Sequence, residues 1–137
     1  HHPSSAASDV YKRQDINRAN LTNTNLTNTR LLEANLTLAN LNNANLTDAN
    51  LLEARLWGAS LEGANLSNAS LHGTNLEYAN LADTNLSGAD FHSFSFRGYK
   101  QKTNLSNANL EGAIITNTDL SGVILRGTIM PDGSINE

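Results

Sequence analysis

An apolar residue recurs at every fifth position along almost the whole chain. It runs from Ile16 through Leu21, Leu26 and Leu31 to Leu86, Phe91 and Phe96. After a break it resumes at Leu105, Leu110, Ile115, Leu120, Leu125 and Met130. Two residues before each member, from Ala19 and Thr24 to Ala89, stands Ala or Thr, and the residue between is usually Asn, as at Asn20, Asn25 and Asn35. A period of five matches neither the 3.6 of a helix nor the 2 of an ordinary strand. It marks an internal repeat, and a repeat decides the architecture before any other signal.

The unit reads small–Asn–Leu–x–x. With its first and third positions inward, small and large side chains alternate along a narrow interior, which close packing requires. The other three positions carry Asn, Thr, Ser, Glu, Asp and Gly, residues suited to corners and a wet outer surface. Five residues cannot bury their own Leu, so burial must come from stacking coil on coil, as in solenoids generally.

In units such as Ala34-Asn35-Leu36 and Ala44-Asn45-Leu46 the chain resembles the pentapeptide-repeat family, whose consensus is Ala-(Asp/Asn)-Leu-x-x. The resemblance covers nearly everything from Asp15 to Met130. It implies an all-β fold, a right-handed quadrilateral β-helix solenoid with four repeats per coil. The expected rod has about five coils and, at the spacing of paired strands, is roughly 25 Å long. The domain so defined spans 15–130.

Residues 1–14 carry no repeat, and the composition shifts abruptly at Asp15. The run from Ser4 to Gln14, SSAASDVYKRQ, is an in-frame translation of the transposase adapter used in sequencing libraries. The segment is therefore read as non-native and disordered, and excluded from fold reasoning. On this reading the native start lies upstream, in a fragment of a metagenomic reading frame. The missing sequence is expected to supply the cap that the first coil lacks. The compartment is left at a cytoplasmic default.

The chain has no cysteine, hence no disulfide framework or thiolate chemistry. No apolar run approaches membrane-spanning length. The formal charge is −4, one unit more negative without Asp9, Lys12 and Arg13. That balance argues against direct nucleic-acid binding.

The break falls at 97–102. Phe96 and Leu105 are nine residues apart where two units need ten. The expectation is a coil irregularity with one residue lost, a bulging loop, and Phe91, Phe94 and Phe96 plugging a widened interior. A second reading is a protruding basic loop, Tyr99 among Arg97, Lys100 and Lys102, that contacts an acidic partner. The tail 131–137 opens on Pro131-Asp132-Gly133, a turn signal that ends the last coil. Such endings are familiar among cyanobacterial members of the family, which points to a bacterial source.

Positions twenty apart should stack on one face. Asn25, Asn45, Asn65 and Asn85 form one such column, read as an amide ladder supporting stacked strands. Thr27, Thr47, Ser67 and Ser87 form a hydroxyl column. His72 and His92 stack without the further ligands that zinc needs, so they are read as surface histidines. Glu33 stacks with Glu53, yet no acid–base pair, pocket, nucleophile motif or phosphate loop emerges. The chain is read as a non-enzyme with no catalytic residue, cofactor or metal.

One surface breaks the polar rule. Leu32 and Leu52 stack outward, and Leu38, Trp57 and Tyr78 point out on the adjoining face. A contiguous apolar ridge of this kind marks contact with something, and Trp and Tyr are favoured anchors. The expected contact is an unknown protein partner, a second copy in a homodimer, or a missing N-terminal domain. The expected function is thus a structural and protein-interaction scaffold. The family resemblance also implies an alternative, binding to DNA gyrase as a mimic of B-form DNA, which calls for a strongly negative surface.

Overall fold

The computed structural model describes residues 13–137, apart from the side chains of Phe94 and Phe96. The chain winds in a four-sided coil. Asp15 bridges Asn35, Asn20 bridges Asn40, Asn25 bridges Asn45 and Arg30 bridges Asn50, all in parallel, and each column continues upward in steps of twenty. A five-residue unit spends two residues on a corner, which leaves a single bridging residue on each side of the coil. Strands of ordinary length are therefore replaced by one-residue bridges.

Three backbone bonds tie each unit to the next coil. Leu36 N donates to Arg55 O at 2.7 Å, Leu38 N to Trp57 O at 2.9 Å, and Arg55 N to Ala34 O at 2.9 Å. A further bond closes each corner within the chain, as from Ala39 N to Leu36 O at 3.0 Å. The stacking carries the backbone pairing that a buried coil requires.

The predicted alternation holds inside. Every Leu of the series from Leu21 to Leu86 is buried, with Ala34, Ala44, Ala54 and their equivalents between them. Each such Leu contributes about 1.5–3 kcal/mol relative to exposure. Phe91 fits the same slot and is also buried. Burial loosens at the ends, where Ile16, Ala19, Ile115, Leu120, Val123 and Leu125 are only partly covered. Thr in the small slot turns its hydroxyl to a carbonyl, as Thr74 Oγ1 does to Leu51 O at 2.8 Å. Thr29 Oγ1 is buried without a hydrogen-bond partner.

The break differs from the expectation. Ser70 bridges Asp90, twenty residues on, but Asn75 bridges Asn104, twenty-nine on. Phe91 and Leu105 are thus successive core positions, and nine residues are inserted between their units rather than one lost. The insert forms an antiparallel hairpin, β1 (Phe94–Phe96) paired with β2 (Tyr99–Gln101), wider than the predicted 97–102. Phe96 matched the period by coincidence; its backbone pairs with Tyr99 across the hairpin. The predicted plugging by the Phe94 and Phe96 rings lies outside the described residues.

Both ends also differ. Residues 1–12, which make up most of the segment read as adapter, lie outside the described residues. Arg13 and Gln14, assigned to the disordered segment, instead join the coil: Arg13 N donates to Leu32 O at 2.8 Å, and Asn35 N to Gln14 O at 2.8 Å. Backbone pairing accepts any side chain that points outward. At the other end, β3 (Thr128–Ile129) pairs antiparallel with β4 (Ile135–Asn136) through the predicted turn. Ile129 also bridges Asn109 below it, so β4 covers the open edge of β3.

Candidate interaction surface

The corners determine what the rod displays. The second residue after each core position of the regular coils has positive φ, as in Asn23, Asn43 and Asn68, whereas Ser93 at the hairpin root and Asp132 in the final turn do not. A positive φ two residues into a hydrogen-bonded corner is the type II requirement, which Gly and Asn meet at least cost. Leu38 at +58° and Tyr78 at +59° occupy this position against their steric preference. Between them in the same column stands Gly58. A Cβ there would meet Leu38 Cδ2 at 2.8 Å, so Leu38 leans into the space a side chain would fill. Trp57, beside Gly58, packs on Tyr78 with ring centroids 5.6 Å apart and planes at 53°. That tilted geometry is favourable for an aromatic pair. The rings remain exposed, Trp57 at 42% and Tyr78 at 55%. Leu32 and Leu52, one unit earlier along the coil, are half-buried.

His72 and His92 continue the Leu32–Leu52 column upward, and Asp90 lies between the two rings. His72 Nδ1 is 2.7 Å from the His92 carbonyl oxygen, and its Nε2 is 3.2 Å from Asp90 Oδ2. His92 Nδ1 is 2.6 Å from Asp90 Oδ1, and its Nε2 is 3.8 Å from Asp119 Oδ2. Burial pushes the Asp90 carboxyl up. Hydrogen bonds from the His92 backbone and ring, with the charges of His72 and His92, outweigh that and hold it below the ordinary carboxylate range. The Asp90 hydrogen bond and charge, aided by Asp119, raise His92 above its ordinary value. Hydrogen bonds from Ser121 hold Asp119 low. Among the described residues, no three His, Asp or Glu side chains are arranged to hold a metal ion.

The hairpin leaves the coil just after His92, at the corner that Leu32, Leu52 and His72 occupy lower in the rod. Its residues from Arg97 to Lys102 are all exposed, Tyr99 most conspicuously at 73%. The Leu32–Leu52 column, the histidines and the hairpin root therefore share one corner of the rod, and Leu38, Trp57 and Tyr78 lie at the next corner along the coil.

The model for pentapeptide repeats matches the chain in eight copies, over residues 15–51, 49–88, 64–98 and 101–130. The chain belongs to the pentapeptide-repeat family. Members of this family fold as right-handed quadrilateral β-helices, in agreement with the four columns of bridges. Among solved structures, the chain is similar to the pentapeptide repeat protein Rfr23 from the cyanobacterium Cyanothece 51142. Identity is 28% over 93% of this chain and 90% of that one, with a TM-score of 0.62. It is also similar to a pentapeptide repeat protein from the Arabidopsis thaliana thylakoid lumen, with 28% identity over 86% of this chain and 69% of that one, and a TM-score of 0.46. A trypsin-treated variant of QnrB1, a plasmid-mediated fluoroquinolone resistance protein, matches at 21% identity over 77% of this chain and 54% of that one, with a TM-score of 0.39. No curated protein matches the chain.

Within this pentapeptide-repeat rod, the Asn columns do a different job from the predicted one. Asn25 Oδ1 accepts from Thr27 N at 3.1 Å and from Thr27 Oγ1 at 2.6 Å, and Asn45 serves Thr47 in the same way. These are local Asx turns that preset each corner. Coil-to-coil side-chain bonds such as Asn35 Nδ2 to Asp15 Oδ1 at 3.2 Å are the exception. Ile114 and Ile124, which the sequence did not single out, are exposed, the first in a column otherwise held by Asn and the second in the column of Asp15, Asn35, Arg55, Asn75 and Asn104. Their place in the column was hidden until the nine-residue insertion was accounted for. Among the described residues, no helix is long and apolar enough to cross a membrane.

Proposed function

We propose that the chain is a rigid, non-enzymatic scaffold of about five coils that binds a protein partner across two neighbouring corners. The contact surface is the ridge of Leu38, Trp57 and Tyr78 at one corner, with Leu32 and Leu52 at the neighbouring corner, from which the hairpin carries Tyr99. One observation carries this reading. Leu38 and Tyr78 hold left-handed backbone positions that Asn or Gly fill at lower cost elsewhere in the rod. Backbone strain kept in place to expose apolar side chains points to use. Gly58 between them lets Leu38 lie flat and leaves the Trp57–Tyr78 pair accessible.

The test compares the parent chain with Trp57→Ser and Leu52→Asn variants by sedimentation and by crosslinking from the ridge. Loss of self-association identifies a second copy as the partner, and loss of a defined crosslinked protein identifies a different one. If neither assembly nor crosslinking changes, the ridge is an idle surface and the reading falls.

Gyrase binding by DNA mimicry has less support. The outer columns are mostly neutral Asn, Thr and Ser, and the hairpin brings Arg97, Lys100 and Lys102 to the surface. The expected result of a supercoiling assay is no inhibition and no protection from a quinolone.

A further inference from the structure

The root of the hairpin is held by groups whose hydrogen bonding depends on protons. His72 presents both ring nitrogens to oxygens that only accept, the His92 carbonyl at 2.7 Å and the Asp90 carboxylate at 3.2 Å. A neutral imidazole has one N–H and can satisfy one of the two; an imidazolium satisfies both. The bonded carbonyl belongs to the last residue but one before β1, where the chain leaves the coil. His92 in turn binds Asp90 through Nδ1, and Asp90 Oδ1 also accepts the His92 backbone N–H at 3.0 Å.

Regular coil pairing is missing at this level. Ser70 bridges Asp90 from below, but Asp90 has no bridge to Asp119 above it, although Asn75, Asn80 and Asn85 all bridge across the insertion. Side chains therefore take over from backbone pairing at the hairpin root.

We infer that His72, Asp90 and His92 form a proton-dependent clasp that fixes the hairpin to the rod, closed when both imidazoles are charged and Asp90 is ionised. The titratable neighbours have the signs this requires. Asp90 lies between the rings and Asp119 faces His92 from the coil above. Glu53 is on the coil below, where its backbone amide donates to His72 O at 2.8 Å. Beneath His72 in its own column lies apolar Leu52. The cations Arg97, Lys100 and Lys102 are carried on the hairpin itself, so opening the clasp reorients a basic arm. A His72 ring that gives up one proton must give up one of its two bonds, and the root loosens. As pH falls far enough to protonate Asp90, the clasp opens from the other side.

Amide hydrogen exchange of the full chain, corrected for the intrinsic pH dependence of exchange, reads this directly. Between pH 5 and pH 8 the amides of residues 93–102 should lose protection roughly tenfold, about what one charge-assisted hydrogen bond supplies. Amides of the lower coils, such as Leu36 and Leu56, should not change. In Asp90→Asn the hairpin protection should become independent of pH, and in His72→Gln the response should shrink to what the His92–Asp90 pair supplies. Asn is the residue most repeats carry at the position of Asp90, so that variant keeps the fold, as circular dichroism would verify. A parent hairpin whose protection does not respond to pH overturns the inference. So does a response that persists undiminished in either variant.

Discussion

Leu38 Cδ2 stands 2.8 Å from the place a Cβ would take on Gly58, so the two residues one coil apart share a single side chain's space. Adding a side chain at 58 meets two penalties, the clash with Leu38 and the positive φ of +64°. Gly58→Ala should therefore destabilise the rod by about 1–2 kcal/mol. Leu38→Asn should do the opposite, because Asn suits the left-handed corner and Leu38 is 38% exposed already. A gain on the order of 0.5–1 kcal/mol is expected. Denaturant unfolding of both variants measures the pair. A Leu38→Asn rod clearly weaker than the parent would show that the ridge supports the fold rather than a contact.

The buried threonines separate in the same kind of experiment. Thr29 Oγ1 has no partner, whereas Thr74 Oγ1 donates to Leu51 O. Thr29→Val keeps the volume and removes an unsatisfied hydroxyl, so it should stabilise by about 1 kcal/mol. Thr74→Val loses one hydrogen bond, while Leu51 O keeps its bond from Ala54 N. It should cost about 1 kcal/mol. Opposite signs from one substitution at equivalent slots are the outcome to look for in thermal melts.

The clasp residues fix the sign of the pH dependence. His92 is raised in the folded chain, so its contribution to stability is complete below an ordinary histidine value of about 6.5 and is lost as pH rises through the raised value. Asp90 is lowered, so its contribution is complete above about 3.9 and is lost as pH falls through the lowered value. Between those limits both are charged and both contribute. A proton NMR titration should place the His92 ring above an exposed histidine peptide, and Asp90→Asn should bring it back. An unchanged His92 titration in Asp90→Asn would show that Asp90 is not its partner.

Much of the rod could be read from Leu21 to Leu86, because a five-residue period leaves one way to bury Leu and Ala together. The outward ridge followed from the same register. The corners could not be read this way. Glu33, Leu38, Glu53 and Tyr78 carry no preference for positive φ, and they adopt it because the geometry of the regular coil corner imposes it. The Asx turns were missed for a related reason: Asn in a stacked column looks like a ladder until the acceptor is traced to the residue two positions on. The insertion deceived because Phe96 fell five residues after Phe91, and periodicity cannot separate a core position from a hairpin residue in phase with it. His72 and His92 were placed in one column correctly, but Asp90 between them became visible only with the side chains in place.

The insertion reading makes one demand on the chain that nothing else does. Removing residues 94–102 joins Ser93 to Thr103 and leaves Phe91-His92-Ser93-Thr103-Asn104-Leu105, an unbroken repeat. Asp119 then falls twenty residues after Asp90, the spacing at which every other column pairs. The shortened chain should fold with the same coil and gain the bridge that Asp90 and Asp119 lack. It also sheds a nine-residue loop whose closure opposes folding only weakly, so the gain should come mainly from the restored pairing. Unfolding at equal or higher denaturant, with new exchange protection at the amides around Asp119, is the expected result. Had one residue been lost from the coil instead, the same deletion would remove two core units, Phe96 among them, and the shortened chain would unfold at lower denaturant.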